Sequence, residues 1–225
     1  AVNKTAIMLA ILVTTAAISW NFPSPLMVII SYIGIFAAAI SSVVTFGFWM
    51  PFIGFIINPR PHLAPKTWLV FAAGEGFFIG LISLSFETMF PGIVLEAVSL
   101  TFCVAATLLF LYKSGIVKPS QNFVLMLCSA IFGIFLFYIG SLIYSLVTGV
   151  SPEIFSGSSN ASIGLSLFIV GIAALSLVLD FDIIEQSAEY GSPKYMEYFG
   201  AMALVTTLIW LYIEILRLLA KFRSR

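Results

Sequence analysis

Glu75, Glu96, Asp180, Asp182 and Glu214 are carboxylates set within or at the ends of long apolar runs, and Arg217 follows Glu214 at i+3. A charge at the centre of a membrane helix costs roughly 2.5–3.5 kcal/mol on insertion scales, so such groups face a bundle interior or a water-filled path and mark ion or proton routes. The densest set lies between Leu175 and Leu219. There an apolar segment runs into Asp180 and Asp182, a short polar loop follows, and a second apolar segment carries Glu214 and Arg217. Two carboxylates held close in a low dielectric cannot both ionise easily, so they share a proton and respond to pH. Glu214 and Arg217 share one helix face. They make either a local ion pair that helps their helix insert, with the arginine snorkelling outward, or an outer gate or cation-attracting vestibule with Glu96. Asp180 has a plainer alternative, a helix-end carboxylate in cytoplasmic water. Asp182, about 200° further round a helix, is expected at the interface rather than buried. Glu75, between Gly74 and Gly76, sits too deep for a boundary charge.

Other chemistries find no residues. There is no GxSxG nucleophile turn and no HExxH zinc helix. An intramembrane aspartyl protease needs aspartates from separate spans, whereas Asp180 and Asp182 share one segment. Cys103 and Cys128 lie inside apolar runs and read as buried thiols with no disulfide role. His62, the sole histidine, stands in a proline-rich loop and reads as solvated, since a metal site needs a ligand cluster. No enzyme activity, cofactor or resident metal is expected. Ten basic and ten acidic residues balance, so no bulk field points to nucleic acid.

The elements that position these groups follow from composition. Of 225 residues 61% are hydrophobic and 9% charged, with a mean hydropathy of +1.12; a soluble domain has about 25% charged residues. The surroundings are therefore a lipid bilayer, in which only helices and closed barrels satisfy their backbone. Barrel strands alternate over about ten residues, whereas these runs are continuous and close to a helical crossing of about twenty. The expected architecture is all-α and polytopic, a single domain over 1–225 of seven spans: about Lys4–Trp20, Leu26–Ile57, Thr67–Phe86, Gly92–Tyr112, Phe123–Val147, Ala161–Asp180 with a helical extension to Ala188, and Phe199–Ala220. The first has the charge pattern of a signal peptide but a weak cleavage signal, and reads as a true span. The second is too long for one straight crossing, and Pro51 is expected to kink it unless the helix continues beyond the membrane. The loop from Asn58 to Lys66 cannot be helical throughout. Gly34, Ala38 and Ser42, and Ala72, Gly76 and Gly80, form ridges suited to close helix contact. Trp20, Trp49 and Trp68 fit interface anchors, while Trp210 is mid-span and packs in the bundle. Lys4, Arg60, Lys66, Lys113, Lys118 and Lys194 collect on the N-terminal side, which the positive-inside rule places in the cytoplasm. The basic tail Lys221–Arg225 runs against this, so either it is exported regardless or the last span does not fully cross.

FAAGEGFFIGLISLSFE in the third span, LVLDFDIIE at the end of the sixth and LIWLYIEILRLL in the seventh resemble the Bax inhibitor-1/YccA family (transmembrane Bax inhibitor motif proteins), in its bacterial branch. The likeness covers nearly the whole chain, and the pairing of LDFD with a terminal IEILRLL gives it its specificity. The resemblance implies a seven-helix fold with the last helix near the bundle centre, in a bacterial cytoplasmic membrane. It implies a pH-sensitive leak with calcium as the transported ion, gated by two aspartates that share protons. It also implies an alternative, a non-transporting regulator or partner of a membrane-bound AAA protease or another membrane complex. One family aspartate matches Asp180. The other, placed ten residues before the arginine that matches Arg217, falls on Thr207, which cannot titrate. Glu75, Asp180 and Thr207 each lie about eight residues from a cytoplasmic helix end, or roughly 12 Å deep. Glu75 is therefore expected to replace the missing aspartate as the partner of Asp180. The expected proton-sensing or ion-path set is Glu75, Asp180, Asp182 and Thr207, with Glu96, Glu214 and Arg217 as the outer cluster.

Overall fold

The computed structural model describes residues 2–22, 24–46, 60–150, 152, 157 and 159–225. The helices are α1 (Val2–Asn21), α2 (Pro25–Phe46), α3 (Ala64–Met89), α4 (Ile93–Lys113), α5 (Gln121–Thr148), α6 (Asn160–Glu189) and α7 (Tyr195–Arg223), with a 3-10 turn, Pro61–Leu63, ahead of α3. All seven are long and apolar enough to cross a membrane, and no strand occurs among the described residues. The protein is thus an all-α, multi-pass membrane protein, as its unbroken apolar runs require.

The helix ends follow local chemistry. Pro65 sits in the first turn of α3, where its missing N–H has no acceptor to lose, so the helix starts ahead of Thr67. Ser120 caps α5 by accepting from the Phe123 amide at 3.2 Å, and Gly149, at φ 70°, ends it. α6 runs to Glu189, so Asp180 lies inside a helix rather than at its end. α7 has 29 residues, about 43 Å of helix against a hydrocarbon core of about 30 Å, so it is long enough to cross. α2 is described only to Phe46. The rest of that run, with Trp49, Pro51 and the loop residues up to Pro59, lies outside the described residues.

The chain divides into two compact units: unit 1 is Ala1–Met89 with Ile183–Thr206, and unit 2 is Phe90–Asp182 with Thr207–Arg225. In unit 1, α3 packs against both α1 and α2 at backbone distance. A side chain at Gly74 would strike the Gly34 carbonyl of α2, and one at Gly76 would strike Leu12 and Thr15 of α1. Ser19 donates across to the Phe77 carbonyl at 3.1 Å, and Thr45 and Thr67 share a hydrogen bond of 2.8 Å. The first turns of α7 dock here through rings: Phe199 on Phe46 at 4.9 Å and Tyr198 on Trp68 at 5.5 Å, with Lys4 over the Tyr198 ring at 4.5 Å. The buried face of α2 runs through Ser31, Ala38, Ser41 and Thr45. Ser42 is half-buried, as is Gly34.

Unit 2 is built on a cluster of Leu127 and Ile134 from α5 with Ile169 and Ile172 from α6, against which Trp210 of α7 packs. Cys103 and Cys128 are free thiols, but exposed rather than buried. Apolar surface in a membrane chain faces lipid as readily as core, so an apolar neighbourhood in sequence does not mean burial.

Candidate functional site

Within unit 2 the end of this unit's part of α6 meets the start of its part of α7, and the start of α6 meets the end of α7. The helices are therefore antiparallel along a seam. On α7 the seam carries Thr207, Trp210, Glu214, Arg217 and Lys221, spaced by alternating steps of three and four, which is one helix face. On α6 it carries Ser162, Ser166, Ile169, Ala173, Ser176 and Asp180, all buried and spaced the same way. From Thr207 to Lys221 is about 21 Å of helix, so the polar groups reach across most of a bilayer core of about 30 Å.

At one end, Asp180 is 8% exposed. The Thr207 hydroxyl hydrogen-bonds to its carboxyl group, while its Oδ2 is buried with no hydrogen-bond partner among the described residues. Thr207 thus holds Asp180 without offering it a second titrating group. Asp182 is half-buried on another face and accepts from the Tyr112 hydroxyl at 3.2 Å, beside the Tyr112–Phe181 ring contact at 6.0 Å.

Towards the other end, Glu214 is 3% exposed. Its Oε1 accepts from the Tyr138 hydroxyl at 2.6 Å and from Arg217 Nη1 at 3.2 Å. Arg217 also donates to the Tyr138 oxygen at 3.2 Å, which closes a three-way bonded group. One turn on, Lys221 is buried, and its Nζ donates to Ser166 Oγ at 2.7 Å and to the Ser162 carbonyl at 3.3 Å. Between the two polar ends stands Trp210, packed on the apolar cluster of α5 and α6.

The expected outer cluster is thus divided. Glu214 and Arg217 are joined through Tyr138, whereas Glu96 pairs with Arg223 at 2.7 Å. Arg223 also donates to the Pro91 carbonyl at 2.7 Å, and Arg225 bonds Asn160. The basic tail therefore fastens the end of α7 to the starts of α4 and α6. The Glu96–Arg223 side chains are 52% and 31% exposed, so Glu96→Gln is expected to change stability by no more than about 1 kcal/mol, read from thermal melting in bicelles. A larger loss would mean that the tail is a keystone rather than a tether.

Glu75 lies in unit 1, half-buried on α3. It is midway round the helix between Gly74, which touches α2, and Gly76, which touches α1. The flanking glycines are packing contacts. Tyr138 had a signal in sequence, since with Tyr144 it is a main polar group of its span. Lys221, Ser162 and Ser166 had a weaker one: Lys221 continues the heptad of Thr207 and Glu214, and the two serines stand at i and i+4.

Neither the curated proteins nor the solved structures give a match. The model of the family described as Bax inhibitor 1 like matches residues 1–224. A match from end to end places the whole helical chain, with its α6–α7 seam, in one family: the protein belongs to the Bax inhibitor 1 like family.

Proposed function

We propose that the protein is a pH-sensitive cation leak of a bacterial cytoplasmic membrane, with calcium as its ion, and no enzyme. The observation that carries this reading is Asp180, a carboxyl group inside a membrane helix whose Oδ2 is buried without a hydrogen-bond partner among the described residues. A buried acceptor left unsatisfied calls for a reason, and uptake of a proton or a cation supplies one. Charging a carboxyl group at this depth is costly without water or a counter-ion. The charge on Asp180 is thereby coupled to whatever admits water into the seam, and a pH-dependent gate needs such a coupling. Glu75 is the second titratable group of this reading, and the Glu214–Arg217–Tyr138 group lines the far end.

The test is calcium flux into proteoliposomes at about pH 6 and pH 8, values that bracket a carboxyl group moved from its ordinary range. Wild type is expected to conduct differently at the two pH values, and Asp180→Asn to lose the difference. Glu75→Gln is expected to lose it as well if Glu75 stands in for the family's second aspartate. PH dependence unchanged in Asp180→Asn sinks the reading.

Two observations favour a second reading, a non-transporting regulator of a membrane-bound AAA protease or a similar complex. Thr207 does not titrate, and Trp210 with its apolar cluster interrupts the seam. This reading predicts no flux at either pH from folded protein, and a partner that copurifies.

A further inference from the structure

We propose that the Lys221 ammonium fills an oxygen-lined site for a monovalent cation, so that the seam is closed at this end by a cation the chain carries itself. The proposal rests on the reading of the seam as a cation route.

A lysine near a helix end in a membrane ordinarily runs its stem outward and keeps the ammonium in water. Lys221 does not, being only 9% exposed. Nor, among the described residues, is its ammonium held by a touching carboxylate, the usual solution for a buried charge. Its partners are a hydroxyl and a backbone carbonyl, Ser166 Oγ at 2.7 Å and Ser162 O at 3.3 Å. Neutral oxygens of this kind replace the hydration shell of an alkali ion in selective sites. The acidic residue on the same face of α7 is Glu214, two turns away. Arg217, the other cation on this face, is already engaged by Glu214 and Tyr138. Ser162 and Ser166 are themselves fully or almost fully buried, at 0% and 4% exposed, so their oxygens form a dry seat and not a wet surface. A fixed ammonium there matches potassium or free ammonium in charge and approximate size.

Two variants vacate this seat to different extents. Lys221→Met keeps the bulk of the stem and removes only the ammonium, leaving a gap for potassium or ammonium ion. Lys221→Ala removes the stem as well, leaving a gap for propylammonium. In full-length protein in bicelles, potassium or ammonium chloride is expected to raise the melting temperature of Lys221→Met, and propylammonium that of Lys221→Ala. Tetramethylammonium, too large and without donors, serves as the control. At ten times the dissociation constant the rise is about 3–6 °C. Wild type, whose seat is filled, should melt alike in all these salts. Adding Ser166→Ala to either variant should remove the rise.

In proteoliposomes Lys221→Met is expected to pass potassium about tenfold faster than wild type, for a barrier lowered by one decade. Thermal stabilisation without flux in any variant keeps the cation seat and rejects the leak. Equal melting of Lys221→Met in potassium and tetramethylammonium overturns the proposal, whether or not wild type conducts.

Discussion

Arg217→Ala is expected to destabilise the fold by about 3–5 kcal/mol, the range for removing one member of an ion pair and stranding the other, here the buried Glu214 carboxylate. The carboxylate is 3% exposed and receives both the Tyr138 hydroxyl and the Arg217 guanidinium. Removing the guanidinium leaves that carboxylate on the Tyr138 hydroxyl. The loss is not symmetric between partners. In Glu214→Ala the Arg217 side chain, 44% exposed, can turn to water or headgroups, so this variant should cost about 1.5–3 kcal/mol, that of the hydrogen bond the carboxylate accepts from Tyr138. Tyr138→Phe deletes the same hydrogen bond and should match it. Unfolding of the three variants in bicelles gives the order directly. An Arg217→Ala loss no greater than that of Glu214→Ala would show that Glu214 is solvated in the membrane-embedded protein and that the seam is wet at this end.

That ordering could not have been reached from sequence, and the reason is physical. The number and type of the elements were legible because a bilayer core sets one length and demands internal hydrogen bonds; α6 reaching Glu189 and Trp210 packing mid-span both followed. Glu214 and Arg217 were legible as a pair because i, i+3 contacts are local. Partners across helices were not. Glu96 pairs with Arg223 rather than with the Glu214–Arg217 group, since in a chain of charged helix ends any cation of the right depth satisfies it. Lys221 read as part of a basic tail because hydropathy averages over a turn, whereas its burial depends on which face of α7 meets Ser162 and Ser166. The same blindness to faces misplaced Cys103 and Cys128, which are exposed. Asp180 was legible as unusual, and the resemblance pointed to Thr207. That Thr207 bonds Asp180 is a fact of the α6–α7 register, which loop composition does not encode.

Gly76→Ala is expected to cost about 3 kcal/mol, the upper end for overpacking a tight site. The added methyl would meet the Leu12 backbone and the Thr15 hydroxyl of α1, with Leu12 Cα at 3.0 Å, and backbone cannot rotate aside as a side-chain tip does. The relief experiment separates these obstacles. Thr15→Ala combined with Gly76→Ala removes the hydroxyl but leaves the Leu12 carbonyl, so it should recover only part of the loss. Gly34→Ala, whose new methyl would stand 3.2 Å from Gly74 Cα, should cost less, because a shift of a few tenths of an ångström suffices. Gly133→Ala meets nothing within 4 Å and should be neutral or stabilising by up to about 1 kcal/mol, the helix-propensity difference. Melting of the four variants in one bicelle composition checks the series, and equal melting of Gly76→Ala and Gly133→Ala would disprove the close α1–α3 contact. The result also bears on Glu75. Its neighbours Gly74 and Gly76 are used up in contacts with α2 and α1, so the pair fixes α3 rather than hinging it. Gly76→Ala should therefore disturb the pH response of flux only in proportion to its loss of stability, whereas Glu75→Gln should disturb it with stability preserved.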